Sequence, residues 1–508
     1  MPTKQIKSAL ISVFDKTGLD NIIELFKSSE ITIYSTGGTY SFLESNGLHP
    51  VKVEDITSYP SILDGRVKTL HPKVFGGILA KREEDHLQQL GKYEIPTIDL
   101  VVVDLYPFEE TVLSTTDDEA IIEKIDIGGI ALIRAAAKNF NDVLIIPSKE
   151  QYGFLENILG DQKASTSFAD RKQMAAEAFA VSSNYDTAIY NYFNKEIKKA
   201  SLKLSFNEGD TLRYGENPHQ QGIYFGELNN VFNKLSGKEL SYNNLVDIDA
   251  AVQLMAEFKD DKPTFAILKH TNPCGVATRN SVVEAWKDAL AGDPVSAFGG
   301  ILICNKEIDI DTAEEINKLF YEVLIAPGFS EEAFTFLSSK KKRVLLQIKT
   351  YARQSSNFKS ILNGVIVQDM DIKSETEADF SCKTQITPSS EQINDLIFSN
   401  KIVKHLKSNT IVLSKNNQLL GMGCGQTSRV DACHQAIKKA QQFGFALEGS
   451  AMASDAFFPF PDCVEIAHQV GVKAIVQPGG SINDQLSIDY CDENEIAMVF
   501  TSTRHFKH

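Results

Sequence analysis

Positive charge, paired cysteine and long apolar runs are all scarce in this sequence. Lysine and arginine number 51 against 67 aspartates and glutamates, a formal net charge of −16. Sequence-independent phosphate contact needs a broad basic surface, so nucleic-acid and anionic-membrane binding are not expected, and an anionic ligand must be held in a local pocket. The seven cysteines (Cys274, Cys304, Cys382, Cys424, Cys433, Cys463, Cys491) are odd in number and confined to the second half. With no CxxC and no secretory signal pattern at the start, the expectation is a reduced, cytoplasmic chain. No apolar run approaches the roughly 18 residues of a membrane span. Ten histidines form neither HExxH nor a cysteine–histidine knuckle, so no metal is expected.

Against that background one stretch stands out. In "LDGRVKTLHPKVFGG" the cations Arg66, Lys68 and Lys73 and the titratable His71 fall within eight positions of an acidic chain. That is most simply an anion site, with a solvated loop as the alternative.

A chain of 508 residues exceeds the ~100–200 residues of one domain, so two or three domains are expected. The first part alternates short apolar runs with amphipathic tracts. "SALISVF", "ITIYS", "IDLVVVDLYPF" and "DVLIIPS" read as buried strands, while Leu19, Ile22, Ile23 and Phe26 mark one helix face. The tract "DEAIIEKIDIGGIALIRAAAKNF" reads as helix broken at Gly128–Gly129. This alternation predicts a doubly wound α/β domain over 1–150, with ligands beyond the strand C-termini. A helical extension and linker follow over 151–200. A second α/β region spans 201–508, in which "TFAILKH" and "GGILICN" are strands and "NTIVLSKNNQLLGMG" is a hairpin around Asn416–Asn417. The charged tract from Phe336 to Ser360 reads as an exposed segment, and no motif is visible over 340–382. "DPVSAFGGILI" and "ASDAFFPFPD" resemble one another weakly, a hint of two related halves.

The chemistry-bearing stretches lie near predicted strand ends. "STGGT" would let backbone N–H groups approach a phosphate, though such a turn can be mere connection. "KIDIGGIALIRAAAKN" offers Asp126 and Lys138, alternatively an N-cap and a surface lysine. In "FAILKHTNPCG" an apolar strand delivers Lys269 and His270; a buried cation beside an imidazole favours the neutral form able to accept a proton near neutral pH. "LRYGENPHQ" offers Arg213 and Tyr214, "GCGQTSR" offers Arg429, and the phenylalanines of "SDAFFPFPD" are core or the wall of a flat ligand. Arg504 follows a buried strand closely enough that the C-terminal tail is expected to dock.

Taken in order, "SVFDKTGL", "STGGT", "GRVKTLHPK", "LYPF", "KIDIGGIALIRAAAKN", "LRYGENPHQ", "LKHTNPCG", "GCGQTSR", "SDAFFPFPD" and "STRHFKH" make the chain resemble a known family over nearly its whole length. That family is the bifunctional purine-biosynthesis enzymes with 5-aminoimidazole-4-carboxamide ribonucleotide (AICAR) formyltransferase and inosine monophosphate (IMP) cyclohydrolase activities. The resemblance implies a methylglyoxal-synthase-like N-terminal domain and a C-terminal region of two cytidine-deaminase-like halves.

For the first domain it implies ring closure of formyl-AICAR to IMP. The nucleotide phosphate would lie near Ser12, Lys16, Ser35, Thr36, Gly37, Gly38 and Thr39, with Arg66 and Thr69 alongside. Lys68 and the backbone N–H groups of Ile127, Gly128 and Gly129 would face the oxyanion, Asp126 and Lys138 would move protons, and Tyr106 would complete the site. For the second region it implies formyl transfer from 10-formyltetrahydrofolate to AICAR, with His270 as proton acceptor and Lys269 and Asn409 on the formyl oxygen. Arg213, Tyr214, Arg429 and Arg504 would grip the nucleotide. Asn244, Phe298, Gly299, Glu322 and Phe457 would complete its pocket, and the folate would lie near Val430, Ser481 and Ile482. Glu322 stands where some relatives carry Asp, and Cys274 where others carry Ala, as a packing residue. A homodimer is implied, with no metal required.

Three rival readings differ in testable ways. A zinc nucleoside deaminase needs H-x-E and P-C-x-x-C, and neither is present. A methylglyoxal synthase fused to a binding module would eliminate phosphate from a triose. A nucleotide-binding regulator would be stabilised by ligand without turnover.

Overall fold

The apolar runs of the first unit become one parallel sheet. The computed structural model describes residues 3–351 and 355–508, and it divides into two units, Met1–Glu208 and Gly209–His508. In the first unit β1 (Ser8–Val13), β2 (Thr32–Ser35), β3 (Val51–Lys52), β4 (Leu100–Asp104) and β5 (Leu144–Ile146) stand in the order β3-β2-β1-β4-β5. All four neighbouring pairs are parallel.

Helix α1 (Leu19–Lys27) buries Leu19, Ile22, Ile23 and Phe26, the face its spacing predicts. After β2 comes α2 (Gly37–Ser45). The expected break at Gly128–Gly129 is corrected: the two glycines are the first turn of α3 (Gly128–Lys138). The Asp126 carboxylate accepts the Gly129 N–H at 2.6 Å, so the pair opens a helix where the periodicity alone read an interruption. Helix α4 (Phe168–Ile197) runs 30 residues from a Ser167–Asp170 capping box. Its buried Arg171 is satisfied by the Phe140 and Thr166 carbonyls and the Thr166 hydroxyl. The division after Glu208 therefore leaves α4 within the first unit.

The second unit is built twice over. Its first half runs β6 (Phe232–Ser236), α5 (Tyr242–Ala256), β7 (Thr264–Lys269), β8 (Asn272–Thr278), α6 (Val282–Gly292), β9 (Gly300–Cys304), α7 (Ile310–Asn317), β10 (Tyr321–Ala326), α8 (Glu331–Ser338) and β11 (Val344–Ile348). The second half repeats that order with β12 (Ser381–Cys382), α9 (Ser390–Val403), β13 (Ile411–Lys415), β14 (Gln418–Gly423), α10 (Arg429–Gln442), β15 (Ala451–Ser454), α11 (Asp462–Gln469), β16 (Ala474–Gln477), α12 (Asp484–Glu493) and β17 (Ala497–Phe500). The strands form one 12-stranded sheet, β6-β11-β10-β9-β7-β8-β14-β13-β15-β16-β17-β12. Each half has an inner antiparallel hairpin, a parallel run and an outer antiparallel edge.

Residues of α5 and α9 share one apolar core across both halves, where the Phe258 and Phe398 rings lie 5.6 Å apart. Two further cores, one per half, bury α6 to α8 and α10 to α12. The helices of each half pack very close to their strands. A Cβ at Gly275 would lie 1.8 Å from the Ala289 carbonyl oxygen on α6, and one at Gly423 2.0 Å from that of Ala432 on α10.

Two expectations are corrected here. Within the charged tract Phe336 to Ser360, Val344–Ile348 is a largely buried strand; Lys340, Lys341 and Lys342 are exposed, residues 352–354 lie outside the described residues, and the tract ends in the exposed hairpin of Ser356–Ile361 and Gly364–Asp369. The two halves are real in topology, but the stretches that hinted at them are not equivalent. "DPVSAFGG" precedes β9, whereas "DAFFPFPD" follows β15.

Candidate functional site

In the first unit the C-terminal ends of β1, β2 and β4 open onto a cavity of ≈ 540 Å³, as expected for an open parallel sheet. Ser12, Lys16, Thr36, Gly38, Thr39, Arg66, Lys68, Thr69, Tyr106, Asp126, Ile127, Gly128 and Gly129 all line it. Helix α2 starts there with no side-chain cap on its first N–H groups, so its positive end faces the space. Lys68 lies across that turn: a Cβ on Gly37, which sits at φ +56, would be 3.0 Å from its Nζ. Thr69 Oγ1 stands 2.9 Å from where a Cβ of Gly128 would be. Lys16 donates to the Val13 and Phe14 carbonyls at 3.1 and 2.6 Å.

Three of the anticipated groups behave differently. The Ser35 hydroxyl is buried and donates to the Ile11 carbonyl at 2.8 Å, tying β2 to β1. The Gly129 N–H is engaged by Asp126 and is not open to an oxyanion. Lys138 is not brought to the cavity: it is exposed in the last turn of α3, about 15 Å along the helix from Gly128. Sequence reading also missed seven lining residues, Phe14, Asp104 and Glu123 among them. Glu123 forms an ion pair with Arg66, also of the lining, and the Phe14 ring meets Tyr106 edge-on at 5.2 Å. Phe14 stood inside a quoted motif, but Glu123 reads as an ordinary helix-surface acid.

The electrostatics centre on Asp126. Burial pushes its carboxyl above the usual carboxylate range, against the N–H groups of Gly129, Tyr106 and Ile130 and the charge of Lys68. The Tyr106 hydroxyl is also raised, first by burial and then by Asp126 and Glu123. The cavity thus pairs a proton-avid carboxyl with a nearby ammonium.

In the second unit the strand directions gather the anticipated residues on one rim. Strand β7 ends at Lys269, and the antiparallel β9 begins beside it after Phe298 and Gly299. Lys269 donates to both of their carbonyls at 2.9 and 3.2 Å, leaving one of its three N–H bonds. Glu322, near the start of β10, accepts from Asn244 at 3.0 Å and Lys238 at 3.1 Å. Burial raises its carboxyl, but these bonds and the charges of Lys238 and Lys269 outweigh burial and lower it.

Antiparallel pairing of β13 and β14 brings Asn409 and Gln426 to the same rim, where Asn409 Nδ2 donates to the Gln426 carbonyl at 3.0 Å. Arg429, opening α10, donates to Asp455 at 2.8 Å and to the Phe457 carbonyl at 3.3 Å. The Cys424 thiol lies 3.5 Å from Asn272 Oδ1 and links the two groups. The 213–222 loop reaches the start of α5 through Asn243 and the Glu216 carbonyl at 3.2 Å, with Arg213 lying over the Tyr214 ring. Arg504 lies over Phe506 at 4.4 Å. Val430, in the first turn of α10, and Ser481 and the fully exposed Ile482, in the loop after β16, lie on this rim. Phe298 is 61% exposed and packs at 5.3 Å on Phe320, an open wall.

One expectation needs correction. Lys269 is only partly buried and His270 is exposed, so no buried cation acts on the imidazole. His270 occupies a hairpin turn with Thr271, both at positive φ, +49 and +64. Behind the turn lies a cavity of ≈ 240 Å³ lined in part by Lys269, His270, Asn272 and Cys274. Burial pushes the Cys274 thiol up to about 12, which leaves it no thiolate character at neutral pH. Among the described residues no group of three or more His, Cys, Asp or Glu is placed to hold a metal ion, and no helix is long and apolar enough to cross a membrane.

Comparison with known proteins yields a consistent set of matches. The family profile described as "AICARFT/IMPCHase bienzyme" matches residues 136–439, and that of the "MGS-like domain" matches residues 18–131. The chain is 57% identical over 507 residues to "Bifunctional purine biosynthesis protein PurH" of Bacteroides thetaiotaomicron, covering 100% of this chain and 99% of that one. It is 45% identical over 519 residues to the protein of the same name from Acetivibrio thermocellus, covering 99% and 100%. A solved structure, "Crystal structure of ForH", is 31% identical over 37% of this chain and 99% of its own, with TM-score 0.33.

Proposed function

This chain belongs to the AICARFT/IMPCHase bienzyme family, and from that premise we propose how its two sites carry out the two reactions. It performs the last two steps of IMP synthesis, formylation of AICAR and dehydrative closure of formyl-AICAR to IMP. The formyl donor we assign is 10-formyltetrahydrofolate, with no metal taking part.

The observation that carries the first assignment is the convergence of Lys16, Lys68, Asp126 and the α2 N-terminus on one cavity at the sheet's C-terminal edge. The nucleotide phosphate sits on Lys16 and the α2 N–H groups, with Ser12, Thr36, Gly38, Thr39 and Thr69 around it and Arg66 partly neutralised by Glu123. In ring closure the carboxamide nitrogen attacks the formyl carbon. Asp126 takes the amide proton, and its raised affinity for protons suits that role. Lys68 stabilises the oxyanion that forms, and the resulting hydroxyl leaves as water as the ring becomes aromatic. Tyr106 completes the wall beside Asp126. Lys138 has no part in this assignment, because its helix carries it away from the cavity.

On the second unit's rim the AICAR amine is a weak nucleophile, since its lone pair is delocalised into the imidazole. His270 accepts the amine proton as nitrogen attacks the formyl carbon and returns it to the departing folate nitrogen. The remaining Lys269 N–H polarises the formyl oxygen, joined by the Asn409 amide once it exchanges its 3.3 Å bond to the Thr427 carbonyl for that oxygen. Arg213, Tyr214, Arg429 and Arg504 hold the nucleotide, Asn244, Gly299, Glu322, Phe298 and Phe457 frame its base, and Val430, Ser481 and Ile482 lie on the folate side. We also propose that the protein is a cytoplasmic homodimer. Seven unpaired cysteines support the compartment. Support for a second copy comes from the exposed hairpin, whose Phe358, Val365 and Val367 share one apolar face, because a two-stranded hairpin is marginal alone.

The test is product analysis on two variants. With AICAR and 10-formyltetrahydrofolate, His270→Ala should make no formyl-AICAR yet convert supplied formyl-AICAR to IMP. Lys68→Ala should do the reverse and accumulate formyl-AICAR. A folded variant of either kind that lost both activities would sink the assignment.

A further inference from the structure

The repeat in the second unit assigns a role to a residue outside every motif. Asp247 is the sixth residue of α5, which begins at a Ser241–Asn244 capping box. Asp395 is the sixth residue of α9, which begins at a Ser389–Gln392 capping box. Both aspartates hold the hairpin turn that follows, in its own half. Asp395 accepts the Asn416 N–H at 3.0 Å and the Asn417 N–H at 2.6 Å. Asp247 accepts the Thr271 N–H at 2.8 Å.

The two turns carry the same left-handed backbone, at φ +52 and +53 in the second half and +49 and +64 in the first. Their residues are not equally suited to it. Asparagine visits this region readily, whereas a β-branched threonine there is a true outlier. Strain of this kind persists only where its surroundings over-determine it. At the first turn they do: the His270 carbonyl also accepts the Thr271 hydroxyl at 2.6 Å and the Asn272 amide at 2.9 Å.

We propose that Asp247 is a positioning residue for formyl transfer, whose hydrogen bond to the Thr271 N–H holds the strained turn and so fixes the His270 imidazole on the rim. Its environment agrees with a held carboxylate facing a working site. Burial pushes the Asp247 carboxyl up, while the Thr271 N–H and the charges of His270 and Lys269 oppose the rise. The lysines that end the two hairpins' first strands behave as a matched pair too. Lys269 ties down the Phe298 and Gly299 carbonyls, and Lys415 the Glu448 carbonyl at 2.6 Å. The halves thus share one scaffold, and only the first places a titratable side chain at the turn.

This inference rests on His270 being the proton acceptor, and the experiment separates the two. Formyl-transfer kinetics are measured on the full-length protein, with cyclisation of supplied formyl-AICAR as the internal control. Asp247→Ala should lower kcat by about 100-fold, the scale of a misplaced catalytic group, with KM for AICAR nearly unchanged. Asp247→Asn, which keeps an acceptor oxygen, should recover most of that loss. Adding Thr271→Gly to Asp247→Ala should recover it too, because glycine adopts positive φ without strain. Asp395→Ala should lower the unfolding midpoint and leave kcat in place.

A folded Asp247→Ala with normal kcat overturns the proposal, as does a loss that neither Asp247→Asn nor the added Thr271→Gly relieves. If Asp247→Ala does not fold, Asp247→Ser, too short to reach the Thr271 N–H, reads the same split. Retained transfer in His270→Ala would instead overturn the underlying assignment of the base.

Discussion

At the scale of single residues, the site proposed for cyclisation depends on a carboxyl kept in unfavourable surroundings. Asp126 is held by three backbone N–H groups and faced by Lys68, yet burial dominates and its proton affinity is raised. A folded-state pKa above the unfolded value means that the group's contribution to stability is fully present below the ordinary carboxylate range and is lost as pH rises through the raised value. Ionised Asp126 is therefore a destabilising charge in the folded chain, and the proposed role as proton acceptor requires that form. Asp126→Asn keeps an oxygen for the Gly129 N–H and removes the charge. The expected result is a fall of about 100-fold or more in cyclisation, together with a higher urea midpoint near neutral pH. In acid below the window, the two proteins should unfold alike. An unchanged midpoint at neutral pH would mean that burial of the charge costs little, and retained cyclisation would remove Asp126 from the proton-transfer role.

Elements show which features sequence can reveal. Strands β1, β4, β7 and β9 were legible because each is an uninterrupted apolar run bounded by polar residues, and α1 because its apolar positions recur at helical spacing. Val344–Ile348 was obscured by Lys340, Lys341, Lys342 and Arg343 just ahead of it, though burial of a strand is decided by its own five residues. Lys138 shares a motif with Asp126, but it stands at the far end of the 11-residue helix α3, which separates the two in space. Asp247 has no motif at all and is recognisable only against Asp395 in the repeated half. The docked tail was legible from Arg504 following β17, but its fastening was not. The His505 ring bonds to Asp371 at 2.6 Å and to Glu375 at 3.0 Å, the His505 backbone N–H donates to the Asp455 carbonyl, and Ser408 exchanges bonds with Lys507. Burial pushes the imidazole down, but the two carboxylates outweigh it and raise it to about 9 from 6.5. That stabilisation is fully present below pH 6.5 and is lost as pH rises through about 9. The wild-type urea midpoint should therefore fall across this interval, and His505→Gln should flatten the fall. A wild-type midpoint that stays level across the interval would show that the ring is not held charged.

The whole molecule is two units with separate cores, to which the proposed assignment gives separate chemistry. The first unit's sheet is covered by its own apolar cluster, to which Met174, Ala175 and Ala178 of α4 belong, and Tyr185 of α4 donates to the Lys124 carbonyl at 2.6 Å and accepts the Asp126 N–H at 2.8 Å. Helix α4 is therefore part of the support of the proposed cyclisation site and cannot be removed with the second unit. A cut made near residue 150, where the strand and helix alternation pauses, would strip α4 from the sheet, expose that cluster and release the Asp126 segment. A cut after Glu208 keeps the unit whole. Residues 1–208 should accordingly fold cooperatively and close formyl-AICAR to IMP, while 1–150 should aggregate or remain unfolded. Residues 209–508 should formylate AICAR and stop at formyl-AICAR, since the Lys68 and Asp126 cavity to which ring closure is assigned lies in the first unit. Far-UV circular dichroism, urea unfolding and product chromatography on the three fragments would check each point. Cyclisation by a folded 1–150 fragment would show that α4 is dispensable, and IMP made by 209–508 alone would overturn the assignment of ring closure to the first unit.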